Sequence, residues 1–210
     1  MFIVSVKAGT GGEARRVALS DGSCFSFNTC YLPPVFNEQL YCLGIEGLEI
    51  SQSDEEAFRF ASACLRAEKA ALQLIARAEQ TEFGLSRKLE KRGHDTACVR
   101  AVIARLCETG LLDDSRYARL WLESRMCRQG SSPRRLLAAL CARAIDRHTA
   151  ERAVKAALDN ETEQQLLERF AQKQLRKKNA LGDPRSLRYL LKSEGFSSQS
   201  IQQYFEENEE

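Results

Sequence analysis

The chain is predicted to be mainly α-helical: an elongated, curved array of three tandem three-helix modules, preceded by a small β-rich segment. Two observations lead there. The texture of the sequence changes near Ser53, and beyond that point a pattern returns every 51 residues. The expected division is residues 1–52 for the β-rich extension and 53–210 for the helical body.

The N-terminal segment reads as strands because Phe2-Ile-Val-Ser-Val6 and Arg16-Val-Ala-Leu19 are short β-prone runs separated by Gly9-Thr-Gly-Gly12. Asp21-Gly22 is a hairpin signal, since both residues tolerate positive φ, and Cys24-Phe-Ser-Phe-Asn28 alternates behind it. Tyr31-Leu-Pro-Pro-Val35 closes the pattern, because proline cannot donate to a ladder. The Gly9–Gly12 loop lacks the Gly-Lys-Ser/Thr ending that would grip a nucleotide phosphate.

Ser53-Asp-Glu-Glu56 reads as the helix start, a serine cap with a glutamate three positions on. Beyond it, proline occurs only at Pro133 and Pro184. Leu85, Leu136 and Leu187 stand 51 apart, as do Leu89, Leu140 and Leu191, then Gly93, Ala144 and Gly195, then Asp95, Asp146 and Ser197. Apolar residues at i and i+4, a small residue at i+8 and a cap-type residue two later describe a short helix, a tight turn and a new helix. Ser132-Pro133 and Asp183-Pro184 read as N-cap plus first-turn proline, and Thr81-Glu82 takes that place in the first copy. Ala70–Gln80, Tyr117–Gln129 and Gln165–Lys178 read as longer leading helices. The modules are therefore expected at about 69–114, 115–160 and 161–208. At about 50 residues each has a marginal core, so neighbours must share apolar faces.

Composition narrows the function. Hydrophobic residues are 43% and charged residues 29% of the chain, which excludes wholesale disorder. No apolar run approaches the roughly 20 residues needed to cross a bilayer, no signal peptide is read, and the expected location is the cytoplasm. The eight cysteines contain no C-x-x-C pair and the histidines are only His94 and His148, so no metal site is expected. Cys64, Cys98, Cys107, Cys127 and Cys141 are expected to be small buried hydrophobes; Cys24, Cys30 and Cys42 stay open. The net charge of +2 is unevenly spread: residues 115–160 hold ten basic and four acidic side chains, whereas residues 1–68 hold five and nine. An anionic partner would be steered to the middle of the chain.

Ala71-Leu-Gln-Leu-Ile-Ala-Arg77, Leu85-x-x-Lys88-Leu89-x-x-Arg92-Gly93, Gly110-Leu-Leu-Asp-Asp114 and Arg116-Tyr117-Ala118-Arg119, in that order, resemble the RecX family, and Ser132-Pro133-Arg134-Arg135-Leu136 matches its second module. The resemblance covers about residues 66–208. It departs at Gly84, where a glutamate is usual, at Ala139, and at Arg143-Ala144, where a lysine-glycine turn is usual; alanine there points to a differently built turn. The resemblance implies a cytoplasmic, non-enzymatic regulator of the RecA recombinase, acting in DNA repair, recombination and the SOS response. It would bind along the groove of the RecA–DNA filament, meet single-stranded DNA there, and change filament assembly and ATP hydrolysis. No cofactor is implied, and a monomer is expected.

The candidate contacts with filament or DNA are Arg116, Arg119, Arg125, Arg128, Arg134 and Arg135, with Lys88, Lys91 and Arg92 as a smaller group. Arginine's planar fork suits phosphate and carboxylate, and the turn Gly130-Ser-Ser132 with the helix start at Pro133 adds an anion-favouring end. The competing reading is a solvated helix face paired within the module, with Glu123 as partner. Asp113-Asp114 reads as a helix cap rather than a catalytic pair. Trp121, Tyr117, Leu120, Tyr189 and Phe196 read as core. No catalytic constellation is found. Two other classes compete: a helical protein acting directly on DNA, and a generic α-repeat scaffold. The apolar Leu136-Leu-Ala-Ala-Leu140 argues against base readout, and the basic centre against a peptide groove.

Overall fold

A computed structural model describes residues 1–9, 14–33, 36, 47–126, 131–158, 160–176 and 184–208. Within them lie strands β1 (Ile3–Ala8), β2 (Ala14–Leu19) and β3 (Cys24–Asn28), a 3-10 turn at Thr29–Tyr31, and helices α1 (Gln52–Ile75), α2 (Glu82–Lys91), α3 (Thr96–Glu108), α4 (Asp114–Met126), α5 (Pro133–Cys141), α6 (Arg147–Ala157), α7 (Asn160–Leu175), α8 (Pro184–Ser193) and α9 (Ser198–Asn208). The chain is mainly α-helical, with the expected β-rich start and three tandem three-helix modules.

The strands form an antiparallel meander in the order β1-β2-β3. Asp21-Gly22 makes the predicted hairpin turn: Gly22 has φ +89°, and the Asp21 carboxylate accepts from the Ser23 amide at 2.9 Å. Val17, Leu19 and Phe27 are buried on one face, and α1 covers it. The Phe58 ring of α1 stacks on Phe27 with centroids 5.3 Å apart.

Helix α1 begins two residues earlier than expected. Ser51, not Ser53, is the cap, and its hydroxyl and the Asp54 carboxylate form a reciprocal capping box. The sequence offers two overlapping boxes; the first is selected because buried Ile50 donates its amide to the Met1 carbonyl, fixing the chain just before Ser51. The same helix runs on through the expected start of the first module and stops at Ile75 rather than Gln80.

The repeat is literal in the backbone. The second helices of the modules start at Glu82, Pro133 and Pro184, and the third helices at Thr96, Arg147 and Ser198, each step 51 residues. Between them Gly93, Ala144 and Gly195 take φ of +83°, +62° and +89°. Ala144 therefore does not build a different turn; it accepts the left-handed conformation that costs a Cβ-bearing residue about 1 kcal/mol or more. Asp95 and Asp146 cap the following helices, and the Ser197 hydroxyl accepts from the Ser200 amide at 3.1 Å. Gly84 also has a local reason: a Cβ there would lie 2.9 Å from the Thr81 hydroxyl that caps α2.

The chain divides into two compact units, Met1–Leu112 and Asp113–Glu210. The reason is in the cores. Ile3, Val17 and Phe27 of the sheet share one apolar cluster with Phe58, Leu85, Val99 and Leu106 of the first module. In the second unit Leu122, Leu136, Leu140 and Val154 of the second module share a cluster with Leu167, Phe170, Leu191 and Phe205 of the third.

Buried carboxylates tie the elements within each unit. Glu68 of α1 is 7% exposed and accepts from Asn28 Nδ2 at 2.6 Å and Arg105 Nε at 3.1 Å, joining β3, α1 and α3. Glu163 of α7 accepts from the Ser197 amide at 2.6 Å and the Ser200 hydroxyl at 3.1 Å, clamping the start of α9. A buried charge held by two donors persists because losing either donor leaves it uncompensated.

Candidate basic groove in the second unit

Helices α4, α6 and α7 enclose a groove of about 1100 Å³. Arg116 and Arg119, three residues apart on α4, face Arg152 of α6 and Arg169 of α7 across it. Its floor is small and apolar: Met126, Ala153, Ala156, Ala157 and Leu166. Three and four residue spacings on α6 and α7 bring these alanines and Leu166 onto the inner faces.

Four guanidinium groups meet two carboxylates in this groove, Asp113 and Glu123. Asp113 is engaged locally: its carboxylate accepts from the amides of Ser115 at 2.8 Å and Arg116 at 3.1 Å, which makes it the cap of α4. Arg119, Arg152 and Arg169 are exposed and make no salt bridge with any described residue. Such a groove offers forked donors to an anionic surface, phosphate or carboxylate. Among the described residues that line it, no general base and nucleophile stand in register.

The other candidates lie elsewhere. Arg134 Nη1 donates to the Ser193 carbonyl at 3.3 Å, and Arg135 stands 3.6 Å from the Glu194 carboxylate and 5.7 Å from the Phe170 ring. The start of α5, expected to attract an outside anion, already has one from within: the buried Ser132 hydroxyl donates to Glu194 at 2.5 Å, and the Arg134 amide donates to the Glu194 carbonyl at 3.0 Å. Arg125 is exposed and lies 6.0 Å from the Trp121 ring, which also carries Arg143 at 4.6 Å. Arg128 and the turn residue Gly130 lie outside the described residues. In the first unit, Lys88 donates to Gln80 at 2.5 Å. Lys91 and Arg92 are exposed at the end of α2, where cations complement the helix dipole.

Arg152 and Arg169 do not stand out in the sequence, because a whole helix, α5, separates α4 from α6 and α7 and no local spacing links them to Arg116 and Arg119. Tyr189, expected in the core, is 77% exposed, and Leu120 is exposed as well; Phe196 is buried as expected. Trp121 and Tyr117 are half-buried against the second cluster.

The cysteines divide similarly. Cys64 and Cys98 are buried, Cys107 is half-buried, and Cys141, against expectation, is exposed; Cys24 and Cys30, for which the sequence sets no expectation, are exposed too, and Cys42 and Cys127 lie outside the described residues. Burial pushes the Cys64 and Cys98 thiols up, away from the reactive thiolate form. Burial also raises the Tyr31 phenol, with the Glu68 charge adding to it. Among the described residues no three His, Cys, Asp or Glu side chains gather to hold a metal ion, and no helix is long and apolar enough to cross a membrane.

Comparison with known proteins sets this architecture in context. Residues 57–106 match the family model described as RecX, first three-helix domain, and residues 113–154 the model described as RecX, second three-helix domain. Regulatory protein RecX of Treponema pallidum (strain Nichols) is 35% identical over 123 residues, spanning 58% of this chain and 75% of the relative. That of Halorhodospira halophila is 43% identical over 76 residues, 36% of this chain and 47% of the relative. A crystal structure of regulatory protein RecX superposes with a TM-score of 0.70 at 18% identity, over 96% of this chain and 97% of that one. RecX from Lactobacillus salivarius superposes with a TM-score of 0.58 at 21% identity, over 70% of this chain and 97% of that one. At such identities the structures speak for the fold.

Proposed function

The chain belongs to the RecX family of regulatory proteins, and on that premise we propose that it regulates the RecA recombinase by binding the groove of the RecA–DNA filament, without catalysing a reaction of its own. Binding there changes filament assembly, ATP hydrolysis and strand exchange, and so DNA repair and recombination. The protein works as a monomer in the cytoplasm. The observation that carries this reading is the convergence of Arg116, Arg119, Arg152 and Arg169 on one groove of the second unit. An anionic filament surface, protein carboxylate or DNA phosphate, complements it. The contact therefore centres on Arg116 and Arg119 rather than on Arg134 and Arg135, whose side chains bind Glu194 and Ser193.

The test replaces Arg116, Arg119, Arg152 and Arg169 by alanine together and follows RecA ATP hydrolysis and binding to RecA-coated single-stranded DNA across a salt series. At the exposed Arg119, Arg152 and Arg169 a substitution moves stability by about 0.5 kcal/mol or less each, and circular dichroism checks the fold of the variant, half-buried Arg116 included. Action on filaments is expected to fall, and if DNA phosphates are met, the log–log salt slope drops by about 2–3 in magnitude. A folded variant that acts like the parent at every salt concentration removes the groove from the contact surface.

A further inference from the structure

Tyr189 is the most exposed large apolar side chain among the described residues, at 77%. It stands in α8, whose sequence Pro184-Arg-Ser-Leu-Arg-Tyr-Leu-Leu-Lys-Ser193 carries three cations and no carboxylate. At about 100° per residue, Arg185, Arg188, Tyr189 and Lys192 fall within an arc of about 100°, and all four are exposed. Leu187 and Leu191 occupy the opposite side and are buried. Two contacts shape this face. Phe205 of α9 supports Arg188, with the guanidinium carbon 4.7 Å from the ring centre, and Arg134 reaches the last turn from α5 through its bond to Ser193. The acids that flank α8 in sequence are Asp183, outside the described residues, and Glu194, which is committed to Ser132 and Arg135.

We propose that this face of α8 binds single-stranded nucleic acid, with Tyr189 stacking on an unpaired base and Arg185, Arg188 and Lys192 meeting the flanking phosphates. A flat ring in water among cations matches the alternation of base and phosphate along a single strand. A duplex stacks its bases on one another and offers the ring no free face. An acidic protein surface would engage the cations but leave the ring without a role. The proposal deepens the filament reading by giving the bound strand a contact of its own, on a face separate from the groove arginines.

The test uses the full chain without RecA, so it can fail while the filament reading stands, and the reverse. Binding of a fluorescent oligothymidine is followed by anisotropy at low salt. Tyr189→Ala is expected to weaken it about 5- to 100-fold and to leave the salt slope unchanged, since stacking releases no counterions. Tyr189→Phe keeps the affinity. Replacing Arg185, Arg188 and Lys192 by alanine lowers the slope by about 2 in magnitude. A matched duplex shows no effect of Tyr189→Ala. The proposal is overturned if the folded Tyr189→Ala protein binds oligothymidine like the parent, if the loss is equal on duplex, or if the parent binds no oligothymidine at low salt.

Discussion

In the first unit a three-helix module lays its long leading helix on a β-sheet; in the second, two such modules lie on each other. The helical frames are alike to the residue, with second and third helices starting at the same 51-residue steps. What differs is the source of the missing core. Phe58 of α1 is buried against Phe25 and Phe27 of the sheet and Phe36 after it. Leu140 of α5 belongs to the cluster that holds Leu167, Leu191 and Phe205 of the third module. A module of about 50 residues cannot bury enough surface alone, and it is indifferent to whether strands or helices complete it.

The sharpest way to break this comparison is to remove the sheet. Deleting residues 1–50 uncovers Phe58, which is fully buried and packs on Phe25 and Phe27 of the sheet. A core Phe truncation alone costs about 3–5 kcal/mol, so the first unit should lose cooperative melting and bind a hydrophobic dye. A deletion protein with parental helical circular dichroism and an unchanged melt would make the sheet an ornament on a self-sufficient module.

Next in size, Leu140→Asp buries an unpaired carboxylate at a fully buried position, at a cost of several kcal/mol. Hydrogen exchange should show α8 and α9 losing protection together with α5 and α6, while α2 and α3 keep theirs. Loss confined to α5 and α6 would mean that the second and third modules do not share one core.

The smallest effect sharpens the repeat itself. Ala144 and Gly195 occupy equivalent turns at φ +62° and +89°. Ala144→Gly relieves the left-handed strain but adds backbone entropy to the unfolded chain, for a net gain of about 0.5–1 kcal/mol. Gly195→Ala should lose about as much; its Cβ would meet Pro133 and Arg134 no closer than 3.6 Å, so the penalty is backbone strain. Denaturant midpoints moving in the same direction for both variants would contradict the equivalence of the two turns.

The module frame was legible because caps, turns and apolar spacings are local and return with one period. What escaped was set by distance. Ser51 prevails over Ser53 because Ile50 is tied to Met1, some fifty residues away. Arg135 looked available to an outside anion, but Glu194 reaches it from the end of α8. Half of the basic groove comes from α6 and α7, and nothing in the spacing of Arg152 and Arg169 announces that they converge with Arg116 and Arg119. Tyr189 shows the limit of periodicity: it sits beside core leucines in sequence, yet on the other side of α8.

The shared cluster of sheet and first module has a consequence in time. Every residue of that cluster lies before Asp113, and its strands pair with their neighbours in order. During synthesis the first unit can therefore close around Phe58 while the ribosome is still adding the second. At typical rates the remaining hundred or so residues take roughly 5–20 s, far longer than a small domain of mostly local pairings needs to fold. The second unit has no such head start. Leu140 must wait for Leu191 and Phe205, so its helices emerge with their apolar faces open. The newborn chain is then most exposed to aggregation, and to chaperones, over its second half.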